Sequence, residues 1–369
     1  MTTKRLPWWI ITSLVAGVSI EVSLLWDLSW HLTIGRDTFW TPAHIGLQLG
    51  GILGGATGGW LVFQSTWGPL RQQSVPVRWW RGPVGAWVMI WGACAMVVSA
   101  PLDNWWHGAY GLDVAILSPP HIILVLGMAA VVAGGALLIA SYSKRDASAL
   151  PARLLVVSNG LLVLMGAFLI SHNTSTTFMH SSNFYQLCAV CFPAFLIGAT
   201  ASGARWAMTA AALTYTVVRL AMVWILPLFP AQPLFGPVYF RPTHFVPPDF
   251  PLLLIFPAMA MDLTLEKARS LSGWRLSFLL GSVFVLVLLI VQWPFANFLM
   301  SPAANTWFFA SDRFRFNLSP ATFTARRLFY PWDASPVWFG VGLGVALLLA
   351  AAASRLGLAW RGLLTRVLR

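Results

Sequence analysis

Two stretches of this chain carry the same side chains in the same order, and those side chains are metal-ligand types. The first runs from Asp27 through His31 to His44, the second from Asp103 through His107 to His121. In each, the Asp stands four residues before the first His, and a Trp directly precedes that His (Trp30, Trp106). A Gly follows the His by four residues (Gly35, Gly111) and a second Asp by six (Asp37, Asp113). Each stretch ends in a hydroxyl residue, a Pro, one further residue and a His: Thr41-Pro42-Ala43-His44 and Ser118-Pro119-Pro120-His121. Residues at i and i+4 share a helix face, so each Asp sits beside its first His. Thr41-Pro42 and Ser118-Pro119 read as an N-cap followed by Pro at the first helical position. That places His44 and His121 in the first turn of a helix, whose electropositive end disfavours imidazolium. Neutral imidazole is the form that ligates metals. One carboxylate and two imidazoles with open positions suit a divalent transition metal, and copper, zinc and non-haem iron all satisfy that chemistry. Asp37 and Asp113 are placed to accept the second ring N–H of a ligating His, with Arg36 balancing Asp37. The competing reading is an Asp–His hydrogen bond that caps each hairpin without a metal. The duplication favours metal, because ionisable groups near a bilayer are costly and are kept for function.

At these residues the sequence resembles the C-type subunits of the copper membrane monooxygenases, the particulate methane and ammonia monooxygenases. That family has a copper site of Asp, three residues, His, twelve residues, His, a spacing matched by Asp27, His31 and His44. Its neighbouring site is Asn, three residues, His, thirteen residues, His; Asp103, His107 and His121 match it, with Asp103 in the Asn position. The Arg36-Asp37-Thr38 run and the Thr41–His44 stretch are also similar to the family. The resemblance covers roughly residues 8–141. It implies that these six residues are catalytic copper ligands, and that O2 is used to oxidise a small apolar or gaseous substrate. It also implies partner monooxygenase subunits and an external electron donor. Nothing in the chain is similar to the soluble cupredoxin-like domains that those enzymes carry on a different subunit. The alternative is a non-enzymatic membrane protein that binds, takes up or delivers copper. A transporter distributes ligands through the bilayer depth, whereas these all fall at one face.

The elements that must position these ligands are membrane helices. Of 369 residues, 58% are hydrophobic and 9% charged, against roughly 25% charged in a soluble domain. An all-α polytopic membrane protein follows. About ten spans are expected, at roughly 8–29, 44–64, 84–107, 120–141, 153–171, 184–203, 206–228, 250–265, 274–299 and 336–355. The first is read as a helix and not as a cleaved leader. The chain is grouped into a duplicated hairpin region (1–142), two further spans (143–205) and a C-terminal helical region (206–369). The net charge of +12 is dispersed over short loops, which excludes nucleic acid as the partner. With both termini cytoplasmic, sixteen of the 23 basic residues lie inside, as the positive-inside rule asks. All seven His then fall on or near the outer face, which points to the periplasmic or extracellular side of a bacterial or archaeal cell membrane. The 21 Trp and 24 Phe supply interfacial anchors toward lipid. The glycine pairs Gly50-Gly51, Gly54-Gly55 and Gly134-Gly135 let helices approach closely, so the two ligand sets are expected to be neighbours. An oligomer is expected.

Other polar positions are read more plainly. Cys188 and Cys191 form a CxxC within an apolar run and are taken as small helix residues; three Cys make no disulfide framework. His172 and His180 are taken as solvated or hydrogen-bonded loop residues, and His244 as part of a rigid Pro-rich loop. Glu21, inside the first span, either relays protons toward the ligands or is paired by another helix. Arg313, Arg315, Arg326 and Arg327, with Asp312 and Asp333, read as a solvated cap.

Overall fold

Hydrocarbon offers no partner to a peptide N–H or C=O, so a chain this apolar closes its backbone hydrogen bonds within each span. The computed structural model describes residues 6–35, 38, 40–68, 74–111, 118–146, 148–171, 176–234, 241–310 and 333–367. The helices in chain order are α1 (Trp8–Thr33), α2 (Pro42–Trp67), α3 (Val84–Tyr110), α4 (Pro119–Ser143), α5 (Ala149–Leu169), α6 (Ser182–Cys191), α7 (Pro193–Ala199), α8 (Ala207–Ile225), α9 (Ile255–Lys267), α10 (Gly273–Leu299) and α11 (Pro336–Arg366). Among the described residues nine helical stretches are long and apolar enough to cross a membrane, with α6 and α7 together forming one of them. The protein is a multi-pass helical membrane protein. It divides into two compact units, one of Met1–Leu24, Thr38–Leu162 and Leu364–Arg369, the other of Leu25–Asp37 and Val163–Leu363.

Glycine sets the helix spacing in the first unit. A Cβ built on Gly92 of α3 would meet the Gly127 carbonyl oxygen of α4 at 2.6 Å, and one on Gly127 would meet the Gly92 carbonyl oxygen at 2.8 Å. Gly85 and Gly134 repeat this reciprocal contact seven residues along each helix. The backbones of α3 and α4 therefore touch, as small residues allow in membranes. On α2, Gly50 fits against Ile20 and Ala16 of α1, and Gly54 against Val131 of α4. Gly92→Ala should lower stability by about 1–3 kcal/mol, the usual cost of overpacking. Gly59→Ala, with nothing within 4 Å, is the neutral control. Thermal unfolding in detergent checks both, and equal midpoints would refute the packing argument.

The loop between α2 and α3 contains an antiparallel hairpin that the all-helical reading does not anticipate. Strands β1 (Val75–Val77) and β2 (Trp80–Gly82) pair in the register Val77↔Trp80, and Arg78 turns the chain with φ 54°. The hydroxyl of Thr66 on α2 accepts from the Arg81 amide at 2.9 Å, and Trp80 packs edge-on against Trp67 at 4.9 Å.

In the second unit, the span expected at 250–265 is corrected. Residues 245–253 form no helix, and the helix that follows, α9, has 13 residues. At 1.5 Å per residue it rises about 20 Å, short of the roughly 30 Å hydrocarbon core. The cause is Pro247, Pro248 and Pro251, which lack the N–H that a helix needs and bias their predecessors toward extended backbone. Phe245, Val246, Leu252 and Leu254 are nonetheless buried. Irregular backbone survives burial only if its polar groups are paired, and distant side chains do that here. The Val246 amide donates to Thr33 Oγ1 (2.8 Å), Leu252 to the Tyr215 hydroxyl (3.0 Å) and Leu253 to Gln292 Oε1 (2.9 Å). The Arg219 guanidinium donates through Nε to the Asp249 carbonyl (3.1 Å). Cys188 and Cys191 are free thiols on α6, as expected of small helix residues.

Candidate metal centre

The second ligand set lies wholly within the first unit. Asp103 and His107 occupy the last turns of α3, and Pro119 and Pro120 start α4 just before His121. Ser118 caps α4, its hydroxyl accepting from the His121 amide at 3.4 Å. His121 is thereby held in the first turn, as the sequence implies. Asp103 spans the gap between the helices: its Oδ2 lies 3.2 Å from His107 Nε2 and its Oδ1 3.2 Å from His121 Nε2. The two imidazole rings are 6.0 Å apart, and all three side chains are half-buried. One donor atom from each of the three lies within 4.8 Å of the others.

Tautomers follow from the outer contacts. His107 Nδ1 faces the Gly111 carbonyl at 3.3 Å. A carbonyl only accepts, so Nδ1 is the donor in this contact, and Nε2 faces the Asp103 carboxylate, which also only accepts: a cation between the two would let Nε2 present its lone pair. His44 repeats the pattern, with Nδ1 3.1 Å from the Thr38 carbonyl. His44 is also in the first unit, within electrostatic reach of Asp103. The expected cap by Thr41 takes another form. Its hydroxyl donates to the Thr38 carbonyl (2.7 Å) and accepts from the Thr38 amide (3.0 Å), without capping α2 through its side chain. A tight turn replaces the cap, and His44 still enters the first turn behind Pro42.

In the second unit, Asp27 and His31 share a face of α1, with Oδ2 3.7 Å from Nε2. The duplication extends to the backbone. Gly35 and Gly111, at matching positions, take φ 90° and 96°, and each closes the turn after its helix. Left-handed backbone of this kind is open to Gly and strained for most other residues.

Arg36, Asp37, Asp113 and His172 lie outside the described residues, as do Asp312, Arg313, Arg315, Arg326 and Arg327. Asp333 is described, and it accepts from the Ser182 amide (2.7 Å) and hydroxyl (2.6 Å) at the start of α6. His244 sits in a short bridge opposite Pro230, in keeping with a rigid loop. Of the two expectations for His180, solvated or hydrogen-bonded, the structure supports the second: it is 1% exposed and packs edge-on against Trp293 at 4.5 Å. Burial pulls its pKa below the ordinary imidazole value, against hydrogen bonding to Asn297 and to the Trp293 backbone. Residues of α10, more than a hundred positions along the chain, supply that pocket, a long-range effect with no local signal. Glu21 is buried in α1, with no hydrogen-bond partner to its Oε1 among the described residues.

A single ion bound by oxygen and imidazole nitrogen at about 2.0–2.2 Å places its donors roughly 3–4 Å apart. The two 3.2 Å separations around Asp103 fall in that range and also in that of an Asp–His hydrogen bond, so this donor set is compatible with a metal ion. No family model matches this sequence, and no curated protein or solved structure matches it either.

Proposed function

We propose that this chain is a copper-dependent membrane monooxygenase, or the metal-bearing subunit of one, that oxidises a small apolar or gaseous substrate with O2. The observation that carries this reading is the Asp103 carboxylate facing His107 and His121 across two helices, together with its duplicate in sequence at Asp27, His31 and His44. Copper bound there supplies the one-electron chemistry that activates O2. The protein's own groups do the rest. Asp103 provides the one negative charge of its set, and the Gly111 and Thr38 carbonyls hold His107 and His44 in the tautomer that presents Nε2. Three ligands leave coordination positions open. Copper, rather than zinc or iron, rests on the family spacing. The positive-inside rule supports cytoplasmic termini and ligands toward the periplasmic or extracellular side of a bacterial or archaeal membrane. An apolar substrate arrives through lipid, electrons come from an external donor, and other monooxygenase subunits and an oligomeric assembly complete the enzyme.

A second reading is a non-enzymatic protein that binds copper at one face: Asp103, His107 and His121 gather at helix ends, and among the described residues no trail of ligand clusters supports passage through the bilayer. Metal analysis of the purified copper-replete protein, with electron paramagnetic resonance, tests both. The expected result is at least one copper per chain with nitrogen hyperfine structure, and reductant-dependent O2 consumption once partners are supplied. Stoichiometric copper without O2 consumption favours the second reading. No stoichiometric metal sinks both.

A further inference from the structure

The C-terminal region has no counterpart in the ligand duplication, yet it grips the helix that carries Asp27 and His31. We infer that Ser29 and Thr33 are positioning residues, which fix the outer end of α1 by clamping the backbone of Val246. The inference rests on the reading of Asp27 and His31 as metal ligands.

The clamp is reciprocal. Ser29 Oγ donates to the Val246 carbonyl at 2.5 Å, and Thr33 Oγ1 accepts from the Val246 amide at 2.8 Å. Thr33 also donates to the Ser29 carbonyl at 2.6 Å, tying the two clamp residues together along α1. Ser29 is fully buried and Thr33 nearly so. Neighbouring contacts extend the grip: Trp30 packs on Phe245 at 5.9 Å, and the Leu234 amide donates to the Ile34 carbonyl at the end of the helix.

Position around the helix gives the clamp its purpose. Successive residues turn by about 100°, so Ser29 and Thr33 stand about 200° from Asp27 and His31. The ligand pair is on the front of α1 and the clamp on its back. Two bonds four residues apart fix both the rotation and the depth of that last turn. Residues of α1 that lie away from the ligands thus decide where Asp27 and His31 point. The segment that receives the clamp is the Pro-rich irregular run, which helical pairing cannot satisfy. One pair of side chains therefore serves two needs: pairing for Val246 and orientation for the ligands.

The test isolates this pair by removing the other set with His107→Ala and His121→Ala in the full chain. Copper affinity is then measured by competition with a chelator. Adding Ser29→Ala and Thr33→Val should weaken copper binding on the order of tenfold or more, the usual cost of losing an outer support. Thr33→Ser in place of both substitutions, which keeps both clamp hydroxyls, should retain most of the affinity. A lowered unfolding midpoint with unchanged affinity would mean that the clamp is structural only, and would overturn the inference while leaving the metal reading intact. No copper binding in the parent variant would overturn the ligand assignment of Asp27 and His31, and the clamp with it. Where the double substitution does not fold, Ser29→Ala alone removes one bond and is judged by the same affinity change.

Discussion

On the proposed reading of Asp103 as a metal ligand, Asp103→Ala should remove one metal ion per chain while leaving the helical content intact. Both carboxylate oxygens face an imidazole at 3.2 Å, so this residue is the hub of its ligand set and its one anionic member. Loss of an outer support costs about 10–100-fold in metal affinity, and loss of the hub should exceed the upper end of that range. Asp103→Asn keeps an oxygen donor and discards the charge, so it should fall between wild type and Ala. Competition titration with a chelator reads the affinity, and circular dichroism reports the fold. A fully metallated Asp103→Ala protein would refute the hub assignment. The substitution takes the carboxylate from His107 and His121, but both rings are half-buried and keep access to water. The local stability rests instead on the backbone contact between α3 and α4. The reciprocal glycine contacts, Gly92 with Gly127 and Gly85 with Gly134, hold that contact without Asp103.

Large stability effects are also expected at Tyr215 and Gln292. Tyr215→Phe leaves the Leu252 amide without its acceptor, and Gln292→Leu does the same to the Leu253 amide. Stranding a buried donor costs about 1–3 kcal/mol. The two amides are adjacent, so the double variant should deviate from additivity. Ser277→Ala is the control on the same helix as Gln292: its hydroxyl bonds the Gly273 carbonyl, already within α10. Unfolding in detergent gives the stability, and hydrogen exchange at Leu252 and Leu253 gives the local opening. Wild-type stability and exchange in Gln292→Leu would show that the irregular segment does not depend on these side chains.

The legible part of this protein is the part written at short range. The spans follow from apolar length. The start of α4 follows from Ser118 and Pro119, and the sharp turns follow from Gly35 and Gly111, which share a left-handed backbone at matching positions. The hairpin at Val75–Gly82 is hidden in the sequence because its strands have three residues each, too few to show an alternation. The run at 250–265 reads as a span by apolar content, and the prolines at its start outweigh that content. Thr41 carries the right residue type for a cap, but Thr38 offers its hydroxyl closer partners.

From the sequence alone come the ligand types, their spacing, and the pairing of each Asp with its first His, because one helical turn brings i and i+4 together. Tertiary structure decided that His121 meets the same carboxylate as His107, because backbone contact between α3 and α4 brings the two helix ends together. It also decided that Val246, Leu252 and Leu253 find their partners on α1, α8 and α10. Periodicity along a chain reports which face a residue occupies. It does not report which distant side chain will satisfy a buried amide, since that depends on helices that come together only in the folded protein.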